Sequence, residues 1–326
     1  MKIAVLDDYQ NVALTFADWS KVQAACQVQV FNRHLASVDE AAAALADFEI
    51  LCLMRERMAV PAPLIGRLPK LKLIVITGAH NRTLDLAAAA AHGITVSHTR
   101  SAGTEHPTSE LTWALILAAS RQVVFENRIL REGGWQKTVG ASLHGRMLGI
   151  VGLGRLGCAV AGIGRAFGME VIAWSPNLTP ERAQAGGARL ATKAELFARS
   201  DVVTLHMVLS ERTRGLIGAE ELALMRQDAV LVNTSRGPLV DEAALLDILI
   251  RRKIGAAALD VFDNEPLPAD HPFRTLDNVV ATPHIGYVTR ETFAVFFPDM
   301  VENIEAYLAG RPIRLLNPAG TQKERL

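Results

Sequence analysis

Three apolar runs in the second half of the chain each lead into an ionisable residue. VLVNTS is followed by Arg236, AAAL by Asp260 and VVATP by His284. Glu265 lies five residues beyond Asp260 in the proline-bounded segment DVFDNEPLP. If these runs are parallel strands, their carboxyl ends meet at one edge of a sheet, where open α/β sheets bind ligands. We therefore expect a guanidinium, an imidazole and a carboxylate to share one crevice.

These groups could together reduce the carbonyl of a 2-oxo acid. Arg236 suits carboxylate binding and carbonyl polarisation, because its planar and permanently charged fork matches a carboxylate. His284 can deliver the proton, and Glu265 would orient the imidazole and favour its protonated form. The alternatives are a core histidine bonded to backbone and an ordinary surface ion pair of Arg236 and Glu265. The shared placement at strand ends favours catalysis.

A glycine-rich segment, LGIVGLGRLGCAVAGIGRAFG, predicts a dinucleotide site. Gly152, Gly154 and Gly157 lie between a strand-like run and a helix-like run. Glycines at this spacing permit a tight turn, a close approach to a pyrophosphate and close helix packing, with the phosphates at the helix N-terminus. Arg155 and Leu156 belong to the same predicted contact, although the Arg155 side chain could equally be solvated. Packing alone is the alternative for the glycines.

The acidic residue that usually closes this fingerprint is missing. At the end of the second strand the chain reads AWSPN, and the position is Ser175. Without a carboxylate the repulsion that excludes a 2′-phosphate is lost, so that NADP(H) becomes admissible beside NAD(H). Asn177 and Arg182 are the nearest polar candidates, and both could simply cap and solvate the next helix. The cofactor is thus NAD or NADP, and we slightly favour NAD.

The elements that must position these residues alternate between strands and helices. KIAVLD, EILCLM and LKLIVIT precede residue 100, and a second series runs from MLGIVG to VVATP, several of its members without polar alternation. This pattern predicts α/β layers whose parallel strands are covered on both faces. One long helix is expected from Glu105 to about Arg131, and a last helix over 290–309.

Composition excludes several classes of protein. Thirty-four basic residues balance 34 acidic ones in 326 residues, so no long-range field gathers nucleic acid or an anionic membrane. No secretory signal is visible, and the most apolar stretches are shorter than the roughly 18 residues of a spanning helix. Cys26, Cys52 and Cys158 lack metal-ligand spacing and are typical of reduced thiols. We expect a two-domain cytoplasmic protein with a small-molecule partner and no metal.

The motifs resemble those of the D-isomer-specific 2-hydroxyacid dehydrogenases. GRMLGIVGLGRLG, SDVVTLHMVLSERTRGLIGAEELALM, AVLVNTSRGPLVDEAAL, GAAALDVFDNEPLP and VVATPHIGYVT look like successive signatures of that family. The resemblance implies an NAD(P)-dependent oxidoreductase that interconverts a small 2-oxo acid and a D-2-hydroxy acid. It assigns substrate binding to Arg236 and acid/base catalysis to Glu265 and His284. Asp260 would lie near the nicotinamide carboxamide.

The resemblance also implies the architecture. Two doubly wound parallel-sheet domains, Rossmann-like or flavodoxin-like, are expected with a cleft between them, in a homodimer. Residues 1–99 and 290–326 would form the substrate-binding domain. Residues 100–289 would form the dinucleotide-binding domain.

One departure from the family concerns the substrate loop, which commonly reads Gly-x-Gly-x-Asp-Asn-Ile-Asp. Here TGAHNRTLD replaces the second glycine with His80. The backbone amides of Gly78 and Ala79 could still receive the substrate carboxylate. His80 and Arg55 could contact a polar or anionic substituent, or could be plain surface side chains.

Two classes of function remain. The first is a reductase of hydroxypyruvate or glyoxylate, with phosphoglycerate as another substrate. The second is a dinucleotide-sensing scaffold similar to the C-terminal-binding corepressors, which share the fold and keep the three catalytic residues. The lack of a long disordered tail or of an evident peptide-docking feature favours the enzyme.

Overall fold

The computed structural model describes residues 1–103 and 105–316. Contacts between Cα atoms divide the chain into two compact units. Unit 1 contains Met1–Gly103 and the described residues from Thr289 onward, and unit 2 contains residues 105–288. The part of the expected substrate-binding domain that covers 317–326 lies outside the described residues.

Both units alternate strands with helices, as the sequence predicts. The strands are β1 (Lys2–Val5), β2 (Gln27–Val30), β3 (Ile50–Leu53), β4 (Leu73–Ile76), β5 (Thr95–His98), β6 (Met147–Val151), β7 (Glu170–Trp174), β8 (Arg189–Leu190), β9 (Val202–Leu205), β10 (Val230–Asn233), β11 (Ala256–Leu259) and β12 (Val279–Ala281). The α-helices are α1 (Ser20–Ala25), α2 (Val38–Leu45), α3 (Ala62–Ile65), α4 (Leu86–Ala91), α5 (Glu105–Ser120), α6 (Val123–Arg131), α7 (Arg155–Ala166), α8 (Pro180–Ala185), α9 (Lys193–Arg199), α10 (Ala219–Leu224), α11 (Glu242–Ile250) and α12 (Arg290–Leu308).

Unit 1 is built on a parallel five-stranded sheet of order β2-β1-β3-β4-β5. Alternate residues of each strand enter opposite faces. Leu51 and Ile74 join a core with α2, α3 and α4. The opposite face, which includes the fully buried Val75, is covered by α1 and α12. Order 2-1-3-4-5 is that of flavodoxin-like sheets.

Unit 2 is built on a parallel seven-stranded sheet of order β12-β11-β10-β9-β6-β7-β8. One face packs on α5 and α7, where Trp113 and Val160 are buried. The other face packs on α9, α10 and α11, around Phe197 and Leu245. The chain order reverses between β6 and β9, which is the switch point where Rossmann-like sheets bind dinucleotides. The predicted α/β class with two parallel-sheet domains is confirmed.

The single long helix expected from Glu105 to Arg131 is wrong. It is two helices, α5 and α6, because Gln122 adopts a left-handed conformation with φ 55°. The backbone N–H of Ala141 donates to the Ser120 carbonyl at 2.8 Å, which the continuation of α5 would have used. Tertiary contacts here override a sequence with good helix propensity.

Neither a membrane-spanning helix nor a metal-binding cluster is found in the described part of the chain. None of its helices is long and apolar enough to cross a membrane. Within residues 1–103 and 105–316, no group of three or more His, Cys, Asp and Glu side chains could hold a metal ion.

Candidate active site

The predicted site residues of unit 2 follow strands that end in register. Asn233 aligns with Leu259, and Leu259 aligns with Ala281, the last residues of β10, β11 and β12. The same register continues through β9 to β6. The loops that carry the predicted residues therefore leave the sheet at one carboxyl edge.

His284 and Glu265 lie in hydrogen-bond contact although they are 19 residues apart. Nδ1 of His284 is 2.5 Å from Oε2 of Glu265, and the two side chains are 30% and 32% exposed. His284 has a φ of 54°, an unusual conformation for a non-glycine residue and one that is found at functional sites. The ring of Tyr287 meets the imidazole edge-on, with centroids 6.0 Å apart. This arrangement leaves Nε2 of His284 for proton transfer.

Asp260 builds the turn that carries His284. Its carboxylate accepts from the hydroxyl of Thr282 at 2.6 Å and from the backbone N–H groups of Ile285 and Gly286 at 2.8 and 2.9 Å. Asp260 is 1% exposed, and burial raises the pKa of its carboxyl despite these hydrogen bonds. The structure thus gives Asp260 a role in the turn. Its predicted contact with the nicotinamide stays a prediction.

Arg236 is held at the same edge by a buried asparagine. The side-chain amide of Asn233, 1% exposed, donates to the Arg236 carbonyl at 2.9 Å, and its oxygen accepts from Ser235 N–H at 3.0 Å. The Arg236 guanidinium is half-buried and donates from Nη1 to the Ser235 carbonyl at 2.7 Å. The turn that follows β10 therefore fixes the backbone from which this cation projects.

The glycine loop fits a dinucleotide. Gly152 has a φ of 97°, and a Cβ there would lie 2.6 Å from the His206 carbonyl oxygen. A Cβ on Gly157 would lie 2.2 Å from the Gly152 oxygen, so helix α7 packs directly on the loop. Gly154 is the N-cap of α7, and no atom of the described residues lies within 4 Å of the place of its Cβ. The first turn of a 12-residue helix is thus open to a pyrophosphate, as the fingerprint requires.

The end of β7 carries no carboxylate. Ser175 is half-buried directly after the strand, and Asn177 is exposed. The guanidinium of Arg182 donates to the Asn177 carbonyl at 3.2 Å, which keeps a cation beside this segment. Arg155 is exposed at the start of α7, and Leu156 beside it is half-buried.

Sequence reasoning missed His206, which directly follows β9 at the same edge. Its Nε2 lies 3.0 Å from the Thr204 hydroxyl, whereas its Nδ1 is buried without a hydrogen-bond partner among the described residues. Burial lowers the pKa of His206 to about 3, so the ring is neutral. The segment DVVTLHM could have revealed it, since it also ends an apolar strand on an ionisable residue.

The residues predicted from the substrate loop lie at the carboxyl edge of the sheet of unit 1. Arg55 has a φ of 51°, and its backbone is held by the Thr77 hydroxyl at 2.7 Å and the Asn81 amide at 2.7 Å. The N–H of Gly78 donates to the Thr99 hydroxyl at 2.8 Å. This amide is therefore already used within unit 1. Ala79 is half-buried, and His80 is exposed.

Comparison with known proteins gives consistent results. The family profile described as D-isomer specific 2-hydroxyacid dehydrogenase, NAD binding domain, matches residues 113–286. A glyoxylate reductase of Aeropyrum pernix is 39% identical over 268 residues, which are 79% of this chain and 80% of that protein. A D-3-phosphoglycerate dehydrogenase of Methanocaldococcus jannaschii is 39% identical over 82% of this chain, and the chain spans only 51% of its length. A crystal structure of a phosphoglycerate oxidoreductase from Vibrio cholerae matches with a TM-score of 0.88 and 37% identity over 95% of this chain and 99% of that one.

Proposed function

Because the chain belongs to the D-isomer specific 2-hydroxyacid dehydrogenase family, we propose that it interconverts a small 2-oxo acid and the corresponding D-2-hydroxy acid. Family membership makes it an NAD-dependent oxidoreductase acting on CH–OH donors. The observation that carries the proposal within this chain is the contact of 2.5 Å between His284 and Glu265 at the edge that also carries Arg236. The division of labour follows the units: unit 2 binds the dinucleotide and unit 1 contributes to substrate binding.

The proposed mechanism assigns one task to each residue. Bound NADH would supply the hydride that attacks the C2 carbonyl carbon. Arg236 binds the substrate carboxylate and polarises the carbonyl, since its charge is permanent and its fork is planar. The imidazole of His284 donates a proton to the carbonyl oxygen, which becomes the hydroxyl, and Glu265 orients the ring. In the reverse direction His284 accepts that proton.

Two substitutions test these roles. His284→Ala should lower kcat by roughly two to four orders of magnitude if the imidazole is the proton donor. Arg236→Lys keeps the charge and removes the planar fork, so kcat/KM for the oxo acid should fall strongly. The kcat and kcat/KM of both variants are measured by NADH oxidation. Their affinity for NADH, measured by fluorescence titration, is the control. A His284→Ala enzyme with the wild-type rate would reject the acid/base assignment.

The proposed substrates are short 2-oxo acids, with hydroxypyruvate and glyoxylate first, and the alternative is phosphoglycerate, a 2-hydroxy acid that would be oxidised. Arg55, Ala79 and His80 are the proposed substrate contacts of unit 1, and the proposal for Gly78 then requires that its N–H leave Thr99. NADH and NADPH oxidation should be followed against a panel of 2-oxo acids. Silence across that panel, together with no reduction of NAD⁺ by phosphoglycerate, would support the scaffold. The relatives, which are named as a reductase and a dehydrogenase, do not favour that function.

For the cofactor we propose NAD(H) with NADP(H) also admitted. Ser175 removes the charge that would repel a 2′-phosphate, and Arg182 stays within the segment that follows β7. The measurement is the ratio of kcat/KM for NADH and NADPH. A strong preference for NADPH would overturn the proposed preference for NAD(H).

We further propose that the protein is a cytoplasmic homodimer. Unit 2 exposes Leu130 (59%), Trp135 (71%) and Val139 (100%) on α6 and the loop after it. The Glu126 carboxylate accepts from the backbone N–H groups of Lys137 and Thr138 at 3.0 and 2.6 Å, which ties this exposed loop to α6. Apolar residues that are both ordered and exposed favour an interface, and family membership points to a second copy of the chain.

Sedimentation analysis tests the dimer. Trp135→Ser combined with Val139→Ser should convert it to a monomer, whereas a wild-type chain that sediments as a monomer overturns this part of the proposal. The cytoplasmic assignment fits the three unpaired thiols of Cys26, Cys52 and Cys158.

A further inference from the structure

Glu265 lies on a loop that has no regular secondary structure. Residues 261–271, which we call the Glu265 loop, lead from the end of β11 to a 3₁₀ turn at Pro272–Arg274. Residues 263–266 are exposed. The position of the Glu265 carboxylate, 2.5 Å from the His284 imidazole, therefore depends on the contacts that hold its loop. Arg274 donates to the carbonyls of Leu267 and Pro268 at 2.6 and 2.8 Å in the middle of the loop, and one anchor holds each end. Those contacts are well defined.

The first anchor joins the start of the loop to Arg236. Gly237 directly follows Arg236, and a Cβ on Gly237 would lie 2.1 Å from the carbonyl carbon of Phe262 and 2.5 Å from the N of Asp263. The backbone of the loop therefore rests directly on Gly237. The N–H of Phe262 in turn donates to Oε1 of Glu265 at 2.9 Å.

The second anchor joins the end of the loop to helix α11. Nε2 of His271 lies 3.1 Å from Oε1 of Glu242, the first residue of α11, and the side chains are 14% and 25% exposed. Nδ1 of His271 accepts from the Phe273 N–H at 3.2 Å. Because Nδ1 is an acceptor, the ring carries its proton on Nε2 and donates it to Glu242. Both ring nitrogens of His271 are thereby used to hold the loop.

Further charged side chains act on the residues of this contact. The charges of Glu242 and of the N-cap residue Asp241 act on the carboxyl of Asp263, and Arg214 is the cation that opposes them. Desolvation and the charge of Glu242 raise the pKa of the Asp263 carboxyl. The Nε2–H of His271 donates to one oxygen of the Glu242 carboxylate in this setting.

We propose that His271 and Glu242 are positioning residues for the reaction: they fix the Glu265 loop so that Glu265 holds the His284 imidazole. This inference rests on the proposed function, because it takes Glu265 and His284 as the acid/base pair. The two residues act through the loop and touch neither substrate nor cofactor in this scheme. Their effect falls on kcat, since the loop orients the proton donor.

The test separates the two nitrogens of His271. In His271→Gln the side-chain amide reaches the place of Nε2 and keeps the donor to Glu242. In His271→Asn the shorter side chain keeps only an acceptor near Nδ1. We expect His271→Gln to stay within about threefold of the wild-type kcat, and His271→Asn and Glu242→Ala to lose about tenfold each. The double variant should be no worse than either single one, because both remove the same contact.

Further measurements separate positioning from a merely structural role. The KM for NADH should stay unchanged in His271→Asn. In the direction of 2-oxo acid reduction, the alkaline limb of its kcat/KM profile should move to lower pH, because a loosely held Glu265 carboxylate stabilises the protonated His284 imidazole less. His92→Asn, an exposed histidine after α4, is the matched control.

Each outcome has a defined meaning. Wild-type kcat and pH profile in His271→Asn and Glu242→Ala, with His284→Ala inactive, would overturn the positioning inference and leave the proposed function standing. The positioning inference also fails if the activity loss equals the fraction of unfolded enzyme, as measured by circular dichroism. Full activity in His284→Ala would instead reject the proposed function itself.

Discussion

The carboxylate of Asp260 offers the sharpest test of how the turn of His284 is built. Its two oxygens accept three hydrogen bonds, and the side chain is 1% exposed. In Asp260→Asn one oxygen becomes an NH₂ group. If the remaining oxygen stays with Thr282 and Ile285, the new donor faces the Gly286 N–H, which is 2.9 Å from the present Oδ2.

The magnitude follows from the contacts. Losing a hydrogen bond to a charged acceptor and leaving a buried N–H unpaired costs about 2–3 kcal/mol, and removal of a buried charge offsets part of it. We therefore expect the free energy of unfolding to fall by about 2 kcal/mol. Since displacing a catalytic group by about 1 Å can cost 10²-fold in rate, kcat should fall roughly 10- to 100-fold.

The assays are urea unfolding followed by circular dichroism, and NADH oxidation with a 2-oxo acid. Thr282→Val is the graded control: it removes one donor and leaves the two backbone donors of the Asp260 carboxylate. It should lower the unfolding free energy by only about 1 kcal/mol. An Asp260→Asn enzyme with wild-type stability and kcat would refute the reasoning, because the turn would then not depend on three acceptor contacts.

Three other predictions concern the cofactor unit. Gly157→Ala places a Cβ 2.2 Å from the Gly152 oxygen and should weaken NADH binding at least about tenfold. The Cβ of Gly162→Ala, on the same helix, meets no atom of the described residues within 4 Å, and this variant should raise the unfolding free energy by about 0.5–1 kcal/mol. Equal NADH affinities in the two variants would contradict this prediction. The pKa of His206 is lowered to about 3, so that between pH 6.5 and 4.5 the imidazole binds a proton in the unfolded chain and stays neutral in the folded one. Over this range the free energy of unfolding, measured with urea, should fall by about 2–3 kcal/mol more in the wild type than in His206→Gln. Ser175→Asp should raise the KM for NADPH about tenfold or more and leave that for NADH within about twofold, because it restores the repulsion of a 2′-phosphate; unchanged discrimination would mean that the ribose lies elsewhere.

Most of the architecture could be predicted because it depends on local patterns. Apolar runs without polar alternation indicate strands that are covered on both faces. Because parallel strands bind ligands at their carboxyl ends, the sequence also predicted that Arg236, Glu265 and His284 share one site. The same rule also applies to DVVTLHM and would have pointed to His206. What could not be predicted depends on tertiary contacts. The left-handed Gln122 that divides α5 from α6 is set by the later segment around Ala141, and no property of residues 105–131 reveals it.

The geometry of the candidate site lay beyond the sequence for a similar reason. The motif around Asp260 did not reveal that its oxygens accept from donors up to 26 residues away, and its expected place near a nicotinamide stays a prediction. The contact between His271 and Glu242 was likewise not revealed by the motifs, because the two residues are 29 positions apart in the chain. Such contacts follow from how loops cross the edge of the sheet, and a motif does not encode that.

The discontinuity of unit 1 has a consequence for biosynthesis. Its sheet is complete once β5 has been made, but one sheet face is covered by α12, where Phe293 and Phe297 pack with Phe16 from the amino-terminal part of the unit. A ribosome that synthesises the chain from its amino end must deliver all of residues 105–288 before that helix exists. Unit 2 can therefore finish folding during translation while the apolar part of the earlier sheet that α12 later covers is still exposed. Chaperones that bind exposed apolar surfaces would then act on the part of the protein that was made first.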